Sequence, residues 1–233
     1  GEDEIRELDP KGELAILQIQ LHNGEPSLAA KVFDLQWNKT DKIPGLSSLN
    51  ADLFWYKNNG AIYLDSTDSV LSASGIIKKD LNIHSFTSQF YIYPTTSSGK
   101  DKQWIVKGSN MLFDSDAVTL KPQFKLNTST GFMSLYADVS AIPLNEVSDL
   151  FPVAVMGKNT DKYLTRAFNG KGDISSARIL WHGATSDFPF EDNTGIFQAY
   201  VDIKGGDFLF APDWPALSDL DLSLYFVNNA LVM

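Results

Sequence analysis

The stretch Asp52-Leu53-Phe54-Trp55-Tyr56-Lys57-Asn58-Asn59-Gly60-Ala61-Ile62-Tyr63-Leu64 decides the fold class of this chain. Leu53 and Trp55 fall on one side of an extended backbone, and Asp52, Phe54 and Tyr56 fall on the other. That period of two marks a strand with two different faces. Asn58-Asn59-Gly60 then reads as a turn, because Asn and Gly tolerate positive φ, and Ala61–Leu64 returns as the antiparallel partner.

The pattern spreads outward from this hairpin. Ala15, Leu17, Ile19 and Leu21 alternate with Ile16, Gln18 and Gln20, and Phe33, Leu35 and Trp37 alternate with Asp34 and Gln36. Runs of the same kind occupy Asn82–Tyr93, Trp104–Phe113, Ala117–Leu120, Gly131–Val139, Ala177–His182, Gly195–Ile203, Asp207–Phe210 and Leu220–Phe226. Most joins are short and rich in Gly, Asn, Asp, Ser or Pro, as in hairpins and meanders. The fold class is mainly β (β-rich α+β), with strand content well above the usual ~20–25%.

Two short helices are expected near 143–169. Leu144, Val147, Leu150 and Phe151 keep helical spacing until Pro152, and a second helix over about 160–169 is capped by Asn159 or Thr160 and closed by Gly170. The chain therefore divides into a β-rich segment, 1–140, and a helical pair followed by strands, 141–233. Pro44–Asn58 also echoes Pro215–Asn229 at an offset of 171, with Pro44, Leu46, Ser47, Leu49, Leu53 and Asn58 matched. Repeated units that must stack to bury an apolar face give an elongated architecture, and the two copies are expected to share one turn-then-strand geometry.

Charge narrows the function. The 233 residues carry 19 Lys+Arg against 29 Asp+Glu, a net charge of −10, which argues against nucleic acid and against docking on anionic headgroups. Without cysteine there is no disulfide framework, thiolate nucleophile or Cys-ligated metal. No run approaches the ~18–20 apolar residues of a membrane-spanning helix; Phe151–Met156 is far too short. A start at Gly1 and a hairpin arm that stops at Met233 read as a piece of a longer chain.

Catalytic patterns are absent. His22, His84 and His182 are scattered, with His182 the most suggestive, beside Trp181 and Gly183. Gly170-Lys171-Gly172 follows a helix where a dinucleotide loop needs a strand. Asp34, Asp52, Asp138, Asp202 and Asp221 sit mostly at polar positions of strands, as on a solvated face, although paired carboxylates would suit a glycosidase. Asp65–Asp68 and Asp114–Asp116 lack the spacing of a calcium loop. No cofactor or metal is implied.

Specific motifs lie in the C-terminal third: Gly172–Gly183, then Asp187-Phe188-Pro189-Phe190, Gly195–Ala199, and Phe208-Leu209-Phe210-Ala211-Pro212-Asp213-Trp214-Pro215-Ala216-Leu217. With Phe33–Trp37 and Ile43–Leu53, and with Ala141–Phe168 before the Phe-Pro-Phe motif, they resemble the YhdP branch of the AsmA-like family, long envelope proteins of double-membraned bacteria. Over 66–130 the likeness is one of general β character. The resemblance implies a curved antiparallel sheet forming a trough, a periplasmic segment of an inner-membrane-anchored protein that reaches toward the outer membrane, no catalytic residues, and phospholipid acyl chains as the partner. On that reading Phe33, Leu35, Trp37, Leu53, Trp55, Leu222, Leu224 and Phe226 line the apolar face. The competing expectations are a β-rich carbohydrate-binding or hydrolytic module and a structural or docking module of the envelope. Protein partners are left open.

Overall fold

The computed structural model describes residues 7–41, 43–96, 102–150, 162, 165–168, 170–209, 215–228 and 230–232. In chain order its strands are β1 (Lys11–His22), β2 (Glu25–Gln36), β3 (Gly45–Leu46), β4 (Asn50–Tyr56), β5 (Asn59–Ser72), β6 (Leu81–Thr96), β7 (Lys102–Ser115), β8 (Thr119–Asn127), β9 (Phe132–Val139), β10 (Ile142–Pro143), β11 (Asp173–Ala184), β12 (Ile196–Phe208), β13 (Leu217–Val227) and β14 (Ala230–Val232). All belong to one sheet, ordered β1-β2-β4-β5-β6-β7-β8-β9-β11-β12-β13-β14, with β3 on β5 and β10 on β11. It is an open antiparallel sheet, and it runs without a break across residues 140 and 141, because β9 pairs with β11.

The founding hairpin forms, but one residue earlier than the sequence suggests. Lys57 and Asn58, at φ 46° and 64°, make the two-residue turn, and Asn59 and Gly60 are already in β5. Gly60 serves packing instead. It pairs with Trp55, and a Cβ on it would come within 2.7 Å of the indole ring.

Inside strands, Asp34, Asp68, Asn110 and Asp219 take positive φ, between 49° and 56°. Short polar side chains tolerate that conformation, and at Asp34, Asn110 and Asp219 the extra residue of a bulge shifts the alternation by one. The inward set therefore continues beyond each bulge on a changed parity.

Connections at one end of the sheet fold onto its apolar face. Leu46 and Leu49 cover Ile83, with Leu35, Trp37, Leu64, Leu71, Phe86 and Phe113 packed around them. Leu144 covers Ile174, Ala177, Ile203, Phe208 and Leu224. Leu144–Leu150 is a 3-10 helix of seven residues and not an α-helix. Of the second expected helix, Lys162 and Thr165–Ala167 are helical, and the rest lies outside the described residues, as do Phe151–Met156, Phe210 and Asp213-Trp214. No helix among the described residues is long and apolar enough to cross a membrane.

The internal echo holds in its strands and fails in its turns. Gly45–Leu46 is a separate strand, followed by a bend at Ser47 before β4 begins, whereas Leu217–Val227 is one strand bulged at Asp219. The first copy needs the break because β3 crosses to β5 and bridges Trp37. No such crossing interrupts the second copy.

Candidate functional site

Directly paired residues share a face, so the register carries the identity of that face from strand to strand. From Leu53 and Trp55 it passes to Ala30 and Leu28 on β2 and to Ile62 and Gly60 on β5. It continues through Phe90 and Ile92, Gly108 and Val106, and Phe124 and Leu126 on β6, β7 and β8. Leu135 and Met133 on β9 lead to Trp181 and Gly183 on β11 and Phe197 on β12. Every one of these residues is apolar or glycine. The opposite face along the same strands carries Phe54, Tyr91, Lys107, Lys125, Ser134 and His182. Over these nine strands one continuous sheet therefore has an apolar side about 40 Å across along its surface, at roughly 4.8 Å per strand spacing.

That side is only partly covered. Leu53, Trp55, Ile62, Phe90, Ile92, Trp104, Val106, Phe124, Leu126 and Leu135 are all half-buried. Ordinary soluble domains rarely leave contiguous apolar patches above a few hundred Å² in contact with water, and larger ones mark binding surfaces.

The sheet also curls toward this side. Trp55 and Trp104 stand on β4 and β7, about 14 Å apart in a flat sheet, yet their ring centroids are 6.0 Å apart. Phe90 and Phe124, two strands apart, approach to 6.1 Å. Gly60 and Gly108 make room, since a Cβ on either would collide with Trp55 or Phe124. At the covered end a strap closes the curve: the Lys78 N–H donates to Asp149 O at 3.0 Å, and Lys79 Nζ lies 3.8 and 3.7 Å from the Glu146 and Asp149 carboxylates. These contacts join the β5–β6 loop to the segment between β10 and β11. At the other end Phe188 and Phe190 fold back onto Trp181, with centroids at 5.2 and 5.0 Å.

Seven of the eight residues expected to line the apolar side lie on it, in two groups. Leu35 and Trp37 pack beneath Leu46 and Leu49, with Trp37 Nε1–H donating to Pro44 O at 2.8 Å, next to the open stretch that holds Leu53 and Trp55. Leu222, Leu224 and Phe226 lie on the same side, toward the other edge of the sheet, around the cluster under Leu144. Phe33 does not join them. It precedes the bulge at Asp34, pairs with Glu13 and lies under the Lys31 ammonium on the polar face. Sequence reasoning missed the middle of the lining, from Ile62 to Leu135. Its alternation was visible, but only the register tells which parity faces inward.

The acidic residues occupy the polar face and are engaged there. Asp52 accepts from Lys31 Nζ at 3.3 Å and Asp138 from Tyr136 at 2.8 Å, which raises the tyrosine pKa. Hydroxyl donors, Ser223 first and then Tyr200, hold the Asp202 carboxyl below the usual range. The Gly205 N–H and then Lys204 do the same for Asp221. A glycosidase acid needs the opposite shift. Asp114 bonds Thr119, Asp116 bonds Asn82, and His84 sits 3.9 Å from Asp114. Lys171 O accepts from the Asp207 N–H, so Gly170-Lys171-Gly172 is a close backbone crossing. The His22 side chain lies outside the described ones.

A family model described as YhdP protein matches residues 2–233. The chain is 25% identical over 237 residues to the Intermembrane phospholipid transporter YhdP of Escherichia coli (strain K12), covering 99% of this chain and 18% of that protein. It thus spans less than a fifth of the relative's length. No solved structure matches.

Proposed function

The chain belongs to the YhdP protein family, and from that premise we propose that its apolar sheet face is one stretch of a conduit for phospholipid acyl chains between the two membranes of a bacterial envelope. The matched relative is named an intermembrane phospholipid transporter. Here the segment lies in the periplasm, within a protein anchored in the inner membrane and reaching toward the outer one. The observation that carries the reading is the unbroken apolar face, half-buried from β4 to β9 and backed by a polar one.

The physics of such a surface suits transport and not catalysis. Each methylene removed from water contributes about 0.8 kcal/mol, so a chain of about fifteen carbons gains on the order of 10 kcal/mol before ordering costs. That gain depends on area alone. A face of uniform chemistry holds an acyl chain nearly equally well at successive positions, so the chain can slide without a deep well to escape. Leu53 and Trp55 line the open stretch, and Leu35, Trp37, Leu222, Leu224 and Phe226 belong to its covered end. The headgroup stays in water outside the curve.

Mass spectrometry of the purified chain under native conditions tests this. Co-purified phospholipid, displaced by added detergent, is the expected result. A lipid-free protein that also fails to take up phospholipid from vesicles contradicts the assignment.

A further inference from the structure

The polar face holds a feature that the conduit leaves unused. Lys107 on β7 and Lys125 on β8 are directly paired across strands, an arrangement in which like charges repel. Neither lysine has an ion-pair partner among the described residues. Their row continues through Tyr91 on one side and Ser134 and His182 on the other, with no carboxylate in it. The row of Asp138 is built the other way. There Lys121 and Arg178 both stand across from Asp138. In a chain of net charge −10, acidic partners are plentiful, and this pair has none among the described residues.

Further donors stand next in the same row. Ser134 Oγ and His182 Nδ1 are 2.8 Å apart, and the imidazole rests edge-on against Phe132 at 4.9 Å. Lys107, Lys125, Ser134 and His182, with Gln123 and Tyr136, line a shallow open depression of about 510 Å³, flanked by Leu180 and Ile196.

We propose that this depression binds a phosphate group, held between Lys107 and Lys125 and capped by Ser134 and His182. Two unpaired ammonium groups match the charge of a phosphate monoester, and lysine serves such groups as a point charge. Ser134 and His182 bond each other, which leaves the pair one further hydrogen to donate, from the hydroxyl or from the ring, to a third phosphate oxygen. Leu180 and Ile196 accept an apolar carrier, so water-soluble phosphate esters and lipid headgroups share the chemistry of the site. The site lies on the face opposite the acyl-chain surface and stands or falls independently of it.

Titration of the chain with glycerol 3-phosphate and, separately, with dihexanoyl phosphatidylglycerol below its micelle concentration tests the site. Lys107→Gln and Lys125→Gln should each weaken binding about ten-fold or more, the loss expected for one charge-assisted hydrogen bond. Lys121→Gln, in the compensated row, should leave affinity within about two-fold. Because the substitutions relieve repulsion, thermal unfolding of Lys125→Gln should occur no lower than that of the wild type. Lysine-dependent binding of both ligands assigns phosphate esters in general, and lysine-dependent binding of the lipid alone assigns the headgroup. Binding of neither ligand, or binding unchanged in both lysine variants, overturns the site.

Discussion

Leu53 and Leu224 occupy the same apolar side of one sheet and meet different surroundings. Leu224 is 5% exposed, beneath Leu144 and beside Ile203 and Phe208. Leu53 is half-buried, with Ala30 and Ile62 as strand neighbours, and among the described residues neither buried cluster lays a connecting segment over it. The difference shows what seals a sheet of this kind. Pleat and alternation make a face apolar, but only chain that crosses the face makes it a core. Over β11 to β13 the Leu144–Leu150 helix does so, and over β5 and β6 the Leu46–Leu49 crossing does.

The comparison breaks most sharply under charge. Leu224→Asp places an uncompensated carboxylate in a sealed cluster and should cost about 4 kcal/mol or more, while Leu53→Asp should cost about 1 kcal/mol. Urea denaturation of both variants measures this. Equal losses would show that the two regions are one core. The curl of the open region can be probed at Gly60. Gly60→Val pushes a side chain into the Trp55 ring and should cost about 1–3 kcal/mol while separating Trp55 from Trp104. Tryptophan fluorescence that does not change would mean that the indole pair does not depend on this glycine.

A smaller effect sharpens the picture at the covered end. Asp80, in the loop that carries Lys78 and Lys79, accepts N–H bonds from Ser74 and Ala73 at 2.9 and 2.8 Å. The Ser74 bond leads, and the carboxyl is held below its ordinary value despite an opposing push from burial. A depressed carboxyl stabilises the fold above its unfolded pKa, and the contribution fades as pH falls through the folded one. Asp80→Asn should therefore be less stable than the wild type at neutral pH, with the gap closing from about pH 5 downward. A gap that widens in acid would reverse the assigned sign.

Much of this was legible in the chain itself. Period-two runs mark nearly every long strand, and the Phe-Pro-Phe and Asp-Trp-Pro motifs pointed to the family that the match over residues 2–233 establishes. Three features were not legible, each for a local reason. Phe33 reads in phase with Leu35 and Trp37, because an aspartate at φ 49° leaves no mark that a glycine would. Gly60 reads as a turn residue, because its partner Trp55 is identifiable only once the register is fixed. The sealing of Leu224 depends on Leu144, eighty residues away in sequence. Alternation predicts which residues share a face, but contacts made by crossing segments lie beyond its range.

The central claim is that one side of β4 meets acyl chains and the other meets water. A photo-crosslinking amino acid placed in turn at Phe54, Trp55 and Tyr56, in cells or with labelled phospholipid in vitro, tests it within three consecutive residues. The account predicts strong lipid adducts from position 55 and adducts at least about ten-fold weaker from 54 and 56, since successive side chains of a strand point to opposite faces. Equal labelling at all three positions, or labelling confined to 54 and 56, would contradict it.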